Sequence, residues 1–363
     1  MENLKSKYFM QLAMLQATKV LGQTKKNPAV GCVIVKDGSL VSAGHTGING
    51  VPHAEYNAIK SGKNKVKNTD LYVTLEPCSN YGKTPPCTKL IIRKNIKKVF
   101  FSIKDPDLRS YNKSSKNFRK NNILVKTNIN KININHFYRS YKKYKIHNLP
   151  FVSCKLAVSK DFYTINKKGK WITNEFSRAR VHLMRSQHDC IITGSSTVLK
   201  DNPTLNCRIN GLDSRSPARI ILDSKLKIPM SSNILKTSKF YKTIIFYNIN
   251  NEKKIKLLRK HNVQLIKSSI LDNGHFDLKK ILIKVKLLGY SRIFLESGLD
   301  LVYSFLQNRL ISDFHFFISS KKLKTNGEGK IKKNYRLFFS KNKNIKVEKI
   351  NLFGDKLITH KLK

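Results

Sequence analysis

Three candidate metal donors, His53, Cys78 and Cys87, most constrain what this chain can fold into. His53 belongs to Pro52-His53-Ala54-Glu55, Cys78 closes Thr74-Leu75-Glu76-Pro77-Cys78, and Cys87 closes Thr84-Pro85-Pro86-Cys87. An apolar run, Leu71 to Leu75, reads as a strand between the first two donors, and helices are expected to open near His53 and at Pro86-Cys87. One imidazole and two thiolates suit zinc, and three protein ligands leave a fourth position for water, as in a catalytic site. Each donor is expected at a helix start, where the helix dipole favours a thiolate. Glu55 is expected to point into the same cavity without ligating, accepting the water's proton and passing it to a leaving amine. The reaction class is hydrolytic deamination of an amidine-like ring carbon. A lone buried Cys is usually a small apolar residue. Here all three donors occur in order, each with its expected strand or helix context.

The surrounding pattern supplies a sheet for these donors. An amphipathic helix spans Met1 to Val20, and strands are expected at Val30 to Val35 and Leu40 to Gly44 across a Lys36-Asp37-Gly38 turn. A further strand runs from Val99 to Ile103, so the order is β-β-α-β-α-β, a mixed sheet with packed helices. Residues 111–148 are poorer in signal, with Asn112 to Asn135 rich in Lys and Asn, a strand at Ile123 to Thr127 and a short basic helix at His136 to Tyr144. Asn148-Leu149-Pro150 marks a boundary, giving domains at 1–148 and 149–363. Beyond it, strands at Phe151 to Ala157, Cys190 to Thr193, Ile220 to Leu222, Thr243 to Tyr247 and Ile293 to Glu296 alternate with helical stretches, notably Phe176 to Arg185 and Leu278 to Leu288. That alternation means a largely parallel sheet whose ligands sit beyond the strands' carboxyl ends. Neither GxGxxG nor a Walker A loop occurs.

Composition narrows the rest. At 363 residues the chain exceeds what one core usually serves. No apolar run is long enough to cross a bilayer, and the first helix lacks the unbroken core of a secretion signal, so a reducing, cytoplasmic setting with free thiols or metal ligands is expected of the six cysteines. The net charge of +49 invites a nucleic-acid reading. However, Lys outnumbers Arg 57 to 14 and is spread along the whole chain, which fits A/T-rich codon usage rather than a phosphate-tracking surface. Only non-specific polyanion affinity at low salt follows from such charge.

The spacing of the cysteines discriminates further. Nucleobase and cytidine deaminases carry Pro-Cys-x-x-Cys, whereas eight residues separate Cys78 from Cys87 here. That spacing also disfavours an RNA-editing deaminase. Asn27-Pro28-Ala29-Val30-Gly31-Cys32, the His53 motif, and Thr74 to Ser79 with Gly82-Lys83-Thr84-Pro85-Pro86-Cys87 resemble the bifunctional deaminase–reductase family of riboflavin biosynthesis. The resemblance continues through Lys155 to Asp161, Trp171-Ile172-Thr173, Thr193 to Leu199, Asp201 to Arg208, Leu222-Asp223-Ser224 and Glu296-Ser297-Gly298, and so spans almost the whole chain. It implies an α/β protein with an N-terminal cytidine-deaminase-like mixed sheet and a C-terminal dihydrofolate-reductase-like doubly wound sheet.

It implies, too, a zinc-dependent deamination at the 2-amino group of a diaminopyrimidinone ribosylamine phosphate, then NADPH-dependent reduction of the ribosyl group to ribityl. By resemblance, Ala157, Trp171, Thr197, Asp201, Ser224 and Gly298 line the NADPH site, and Arg185, Leu205, Arg208 and Glu296 face the second substrate. Asn27 either reads a ring edge in the first pocket or serves as a turn residue before Pro28, and Lys83 stands where the family more often has an Arg for the phosphate. The family context favours a homodimer or homotetramer. Departures from the pattern are Asn80-Tyr81 for a His-rich pair, Phe162 for a turn glycine, Gly169 for a serine and Phe314 for an acid. A lost turn glycine is expected to alter the backbone path. The drift also admits a rival reading, in which the second domain is an inactive scaffold for oligomerisation.

Overall fold

The computed structural model describes residues 4–82, 84–169, 171–341 and 344–362. The chain forms two compact units, Met1–Leu149 and Pro150–Lys363.

In the first unit the order is α1 (Leu4–Thr18), β1 (Gly31–Lys36), β2 (Ser39–His45), α2 (Ala54–Gly62), β3 (Asp70–Leu75), α3 (Cys87–Arg93), β4 (Lys98–Ile103), α4 (Ser114–Lys120), β5 (Leu124–Thr127), α5 (Lys131–Phe137) and α6 (Arg139–Ile146). The five strands lie in the order β2-β1-β3-β4-β5. Strand β1 is antiparallel to β2 and β3, while β3, β4 and β5 run parallel. The apolar runs of β1, β3 and β4 are buried almost throughout, as central strands covered on both faces should be. Glycines let two helices reach this sheet. A Cβ on Gly31 would sit 1.9 Å from the Ala13 carbonyl oxygen of α1, and one on Gly44 would sit 2.4 Å from the Ala58 nitrogen of α2. The expected single helix from His136 is instead the pair α5 and α6, which meet at Tyr138. Helix α4 carried no clear sequence signal, because its buried anchors are only Ser114 and Phe118.

The second unit contains β6 (Phe151–Val158), β7 (Tyr163–Asn166), α7 (Glu175–Ser186), β8 (Cys190–Gly194), α8 (Ser195–Asp201), β9 (Ala218–Leu222), α9 (Asn233–Lys236), β10 (Thr243–Tyr247), α10 (Glu252–Lys260), β11 (Val263–Lys267), α11 (Leu278–Leu287), β12 (Arg292–Leu295), α12 (Leu299–Gln307), β13 (Asp313–Ile318), β14 (Gly327–Lys330), α13 (Lys333–Lys341), β15 (Ile345–Val347) and β16 (Lys356–Lys361). The main sheet runs β11-β10-β9-β8-β12-β6-β13-β16-β15. It is parallel from β11 to β13, and β16 then pairs antiparallel with both β13 and β15. Strand order reverses direction along the chain around β8, β12 and β6, which creates the crevice where such sheets take ligands. Strands β7 and β14 form a separate ribbon. Among the described residues, no helix is long and apolar enough to cross a membrane.

Candidate metal centre and reductase site

The three expected donors converge. His53 immediately precedes α2, Cys87 is the first residue of α3, and Cys78 lies in the loop after β3. Their donor atoms all fall within 4.8 Å of one another. His53 Nδ1 is 3.3 Å from Cys87 Sγ and 3.5 Å from Cys78 Sγ. A tetrahedral zinc site with bonds of about 2.0 and 2.3 Å has an N–S edge of about 3.5 Å, so this donor set fits that ion. Cys78 departs from the helix-start expectation. Its sulfur is instead met by α3 from outside, accepting a hydrogen bond of 3.3 Å from the Cys87 backbone N–H.

The three donors and Glu55 shift one another's protonation. The hydrogen bond from Cys87, with His53 beside it, holds the Cys78 thiol at about 4, while Cys87 is driven up by its bond to Cys78 and by burial. His53 rises to about 8, chiefly through Cys78. Glu55, in the first turn of α2, is buried at 4% exposure, and burial pushes its carboxyl to about 7.

Glu76, which the sequence reading left without a role, secures the Cys78 loop. Its side chain is 2% exposed and accepts four hydrogen bonds from one segment. Oε2 takes the backbone N–H groups of Asp105 and Asn112 at 3.2 and 3.0 Å, and Oε1 takes the N–H and hydroxyl of Ser114 at 3.2 and 2.9 Å. On the other side of Cys78, Asn80 Oδ1 accepts from the Ser110 hydroxyl at 2.5 Å. The residue that replaces a family histidine thus joins the same clamp. Asn27 donates from Nδ2 to the Gly50 carbonyl at 3.0 Å, three residues before His53, and also closes a turn with Thr24. Lys83 lies outside the described residues.

In the second unit the strand ends gather most of the expected cofactor residues. Ala157 is near the end of β6, Thr197 lies in α8 just past β8, Ser224 follows β9, and Gly298 follows β12; these four strands are neighbours in the sheet. Ser297 links three of the pieces. Its hydroxyl accepts from the Gly194 N–H and lies 3.2 Å from the Thr197 hydroxyl, which accepts from the Gly298 N–H. Asp201 ends α8 in solvent. Trp171 is 53% exposed, with the Arg178 guanidinium 4.8 Å from its ring centre.

The substrate-facing set is organised differently from a row of free forks. Arg185 makes a bidentate pair with Glu296, at 3.0 and 2.9 Å, and its third nitrogen donates to the Asn206 carbonyl at 2.9 Å. Lys155 stands 3.7 Å from the same carboxylate. Burial alone would raise the Glu296 carboxyl, but Arg185 and Lys155 outweigh it and hold it at about 2. Arg208 is exposed, and its guanidinium lies 3.2 Å from His182 Nε2. Burial, then the two neighbouring guanidinium groups, depress His182 to about 4, so its imidazole is neutral at pH 7. Leu205 is buried yet left-handed, at φ 55°. A bulky residue in that region costs about 1–2 kcal/mol, and such strain gathers at functional sites.

Residues 4–103 match the cytidine and deoxycytidylate deaminase zinc-binding region, and residues 150–336 match the RibD C-terminal domain. The riboflavin biosynthesis protein RibD of Aquifex aeolicus is 36% identical over 325 residues, 89% of this chain and 88% of the relative. That of Actinobacillus pleuropneumoniae is 34% identical over 315 residues, 86% of this chain and 83% of the relative. The chain belongs to the RibD family. Solved structures agree: the Thermotoga maritima protein has a TM-score of 0.83 at 28% identity, and Acinetobacter baumannii RibD 0.82 at 26%, each with 99% of both chains covered. As a RibD it is a bifunctional deaminase–reductase of riboflavin biosynthesis, using zinc in the first step and NADPH in the second. Membership favours this over the inactive-scaffold reading.

Two of the departures from the RibD pattern have a clear local setting. Phe162 keeps the left-handed backbone of a turn glycine, at φ 67°, and the turn closes with a 2.9 Å bond from its N–H to the Ser159 carbonyl. The left-handed conformation that glycine favours is thus carried by an aromatic residue. Phe314 is buried, with ring centres 4.6 Å from both Phe316 and Phe339, so an aromatic cluster occupies that strand.

Proposed function

We propose that His53, Cys78 and Cys87 hold the zinc ion and that Glu55 moves the proton in deamination. The carrying observation is the convergence of three soft donors within 4.8 Å, beside a buried carboxyl two residues from one of them. When bound, zinc supplies the Lewis acidity that makes a water nucleophilic near neutral pH. Glu55, buried two residues from His53, takes the water's proton and delivers it to the departing ammonia. Glu76 and Asn80 hold the Cys78 loop rigid through residues 105–114. Asn27 faces the pyrimidine edge, and Lys83 contacts the phosphate.

In the second step, NADPH supplies the hydride. Ala157, Trp171, Thr197, Asp201, Ser224 and Gly298 bind it, and Arg185, Leu205, Arg208 and Glu296 face the substrate. Arg185 is engaged by Glu296 and Asn206, so the substrate phosphate falls to the exposed Arg208. The substrates proposed are those in the name of the Thermotoga maritima protein: diaminohydroxyphosphoribosylaminopyrimidine, then 5-amino-6-(5-phosphoribosylamino)uracil. The enzyme is cytoplasmic, in keeping with six unpaired thiols. It assembles as a homodimer or homotetramer. Leu337, Phe338, Ile345 and Val347, all at least 45% exposed on α13 and edge strand β15, offer an apolar surface for this. No specific nucleic-acid partner is required.

The test is metal content with both assays on purified protein. One zinc per chain, ammonia release from the diaminopyrimidine and NADPH oxidation with the deaminated product are expected. Metal-free protein that still deaminates would overturn the first assignment, and an unchanged nicotinamide absorbance would overturn the second.

A further inference from the structure

Arg219, on β9, is among the most deeply buried large side chains of the molecule, at 0% exposure. A buried guanidinium normally meets a carboxylate, because desolvating its charge is costly. Here every acceptor around it is neutral. Nε donates to the Thr243 hydroxyl at 3.1 Å, Nη1 to the Thr204 carbonyl at 3.0 Å and the Thr237 hydroxyl at 2.7 Å, and Nη2 to the Ile234 and Tyr241 carbonyls at 2.8 and 3.2 Å and to Thr243 at 2.6 Å. All five N–H donors are used, and only a planar fork can reach such a set at once.

One of these partners lies in the substrate loop. Residues 202–208 have no regular secondary structure, so their main chain needs outside partners to hold one path. Arg219 takes the Thr204 carbonyl, Arg185 takes the Asn206 carbonyl, and the Ser216 hydroxyl takes the Cys207 N–H at 3.0 Å. Leu205, between the first two anchor points, is the residue in the left-handed conformation. The Arg219 bond holds the peptide that leads into it, while the other ends of the fork fix that peptide to α9 and β10.

We propose that Arg219 is a positioning residue of the reductase. It touches neither substrate nor cofactor, and it orients the Thr204–Leu205 peptide so that Leu205 and Arg208 are presented to the phosphorylated substrate. The proposal rests on the reading that Leu205 and Arg208 face that substrate.

Arg219→Lys keeps the charge but has one nitrogen, which cannot serve Thr204, Ile234 and Thr243 together. In the full-length enzyme it raises the reductase KM for the deaminated intermediate roughly tenfold to a hundredfold, the scale of a misplaced binding group. kcat stays within about twofold, and the NADPH Kd and the deaminase rate are unchanged. Amide exchange at Cys207 accelerates. Combined with Arg208→Ala, the effect on KM is less than additive, because both changes remove one presented group. An NADPH affinity that falls in step with KM, or full additivity with Arg208→Ala, would overturn the proposal. Arg208→Ala alone with an unchanged KM would overturn the underlying substrate reading, while the amide-exchange result still decides whether Arg219 holds the loop. If Arg219→Lys does not fold, Thr237→Val removes a single acceptor. It must then speed exchange at Cys207 and raise KM without moving the NADPH Kd, and no change in either would sink the idea.

Discussion

The two catalytic regions are built on opposite plans. At the metal centre the chemistry-bearing atoms come from residues 53–87, next to the ends of three elements, with the Cys78 loop clamped by residues 105–114. At the reductase site the expected residues run from Ala157 to Gly298 and depend on a loop tied down from behind. Each plan relies on a buried ionisable side chain held by neutral groups. Glu76 gathers four N–H and O–H donors behind Cys78, whereas Arg219 gathers carbonyl and hydroxyl oxygens behind Leu205. The lesson is that a buried ion can organise irregular backbone that has no ladder of its own. Damage to the first region should act through metal, and damage to the second through substrate affinity.

The sharpest break in this comparison is Cys87→Ala. It should empty the metal site and reduce deamination to background while NADPH oxidation on supplied intermediate continues; metal analysis and the two assays check it. Glu55→Gln should keep zinc and lower deamination roughly a hundredfold to ten-thousandfold, and near-normal turnover would remove Glu55 from its role.

Glu296→Gln probes the second region through pH. The folded carboxyl is held at about 2 against an ordinary 4.5, so it binds protons less readily than in the unfolded chain. Its stabilisation is full above about pH 4.5 and is lost as pH falls towards 2. The variant should be destabilised by about 3 kcal/mol at neutral pH, with the gap to the parent narrowing below pH 4.5 in denaturant titrations. Arg208→Ala should weaken the phosphorylated substrate by about 1–3 kcal/mol, the worth of a charged hydrogen bond, with NADPH binding intact; the reverse pattern would mean the pocket is assigned backwards. The smallest effect is expected of Phe162→Gly. Relief of about 1–2 kcal/mol of left-handed strain is offset by a lost half-buried ring, so Tm should move by no more than about 4 °C and reductase kcat should hold.

Much of the first region was legible because zinc chemistry demands rare residue types. His and Cys at motif spacing stand out against a Lys- and Asn-rich background. The strands around them carried continuous apolar runs, and α2 and α3 opened at His53 and Cys87. The second sheet was legible wherever its strands were fully buried, as in β8, β9 and β10. Strand β11, only partly buried at the sheet edge, left no comparable run. Helix α10 has a clear Asn251 cap but a weak apolar stripe, because only Ile255 and Leu258 are buried along it.

From its residues alone the chain declared two α/β domains and a candidate zinc donor set with a carboxyl beside it, while the pieces of a reductase came through the family resemblance. Local patterns and scarce side chains suffice for that, since each acts over a few residues. Tertiary structure alone decided how the charges are spent. It paired Arg185 with Glu296, left Arg208 exposed, placed Phe162 in a glycine's conformation, and buried Glu76 and Arg219 among neutral partners. Such pairings depend on which distant backbone groups lack partners after folding, and no spacing along the chain encodes that.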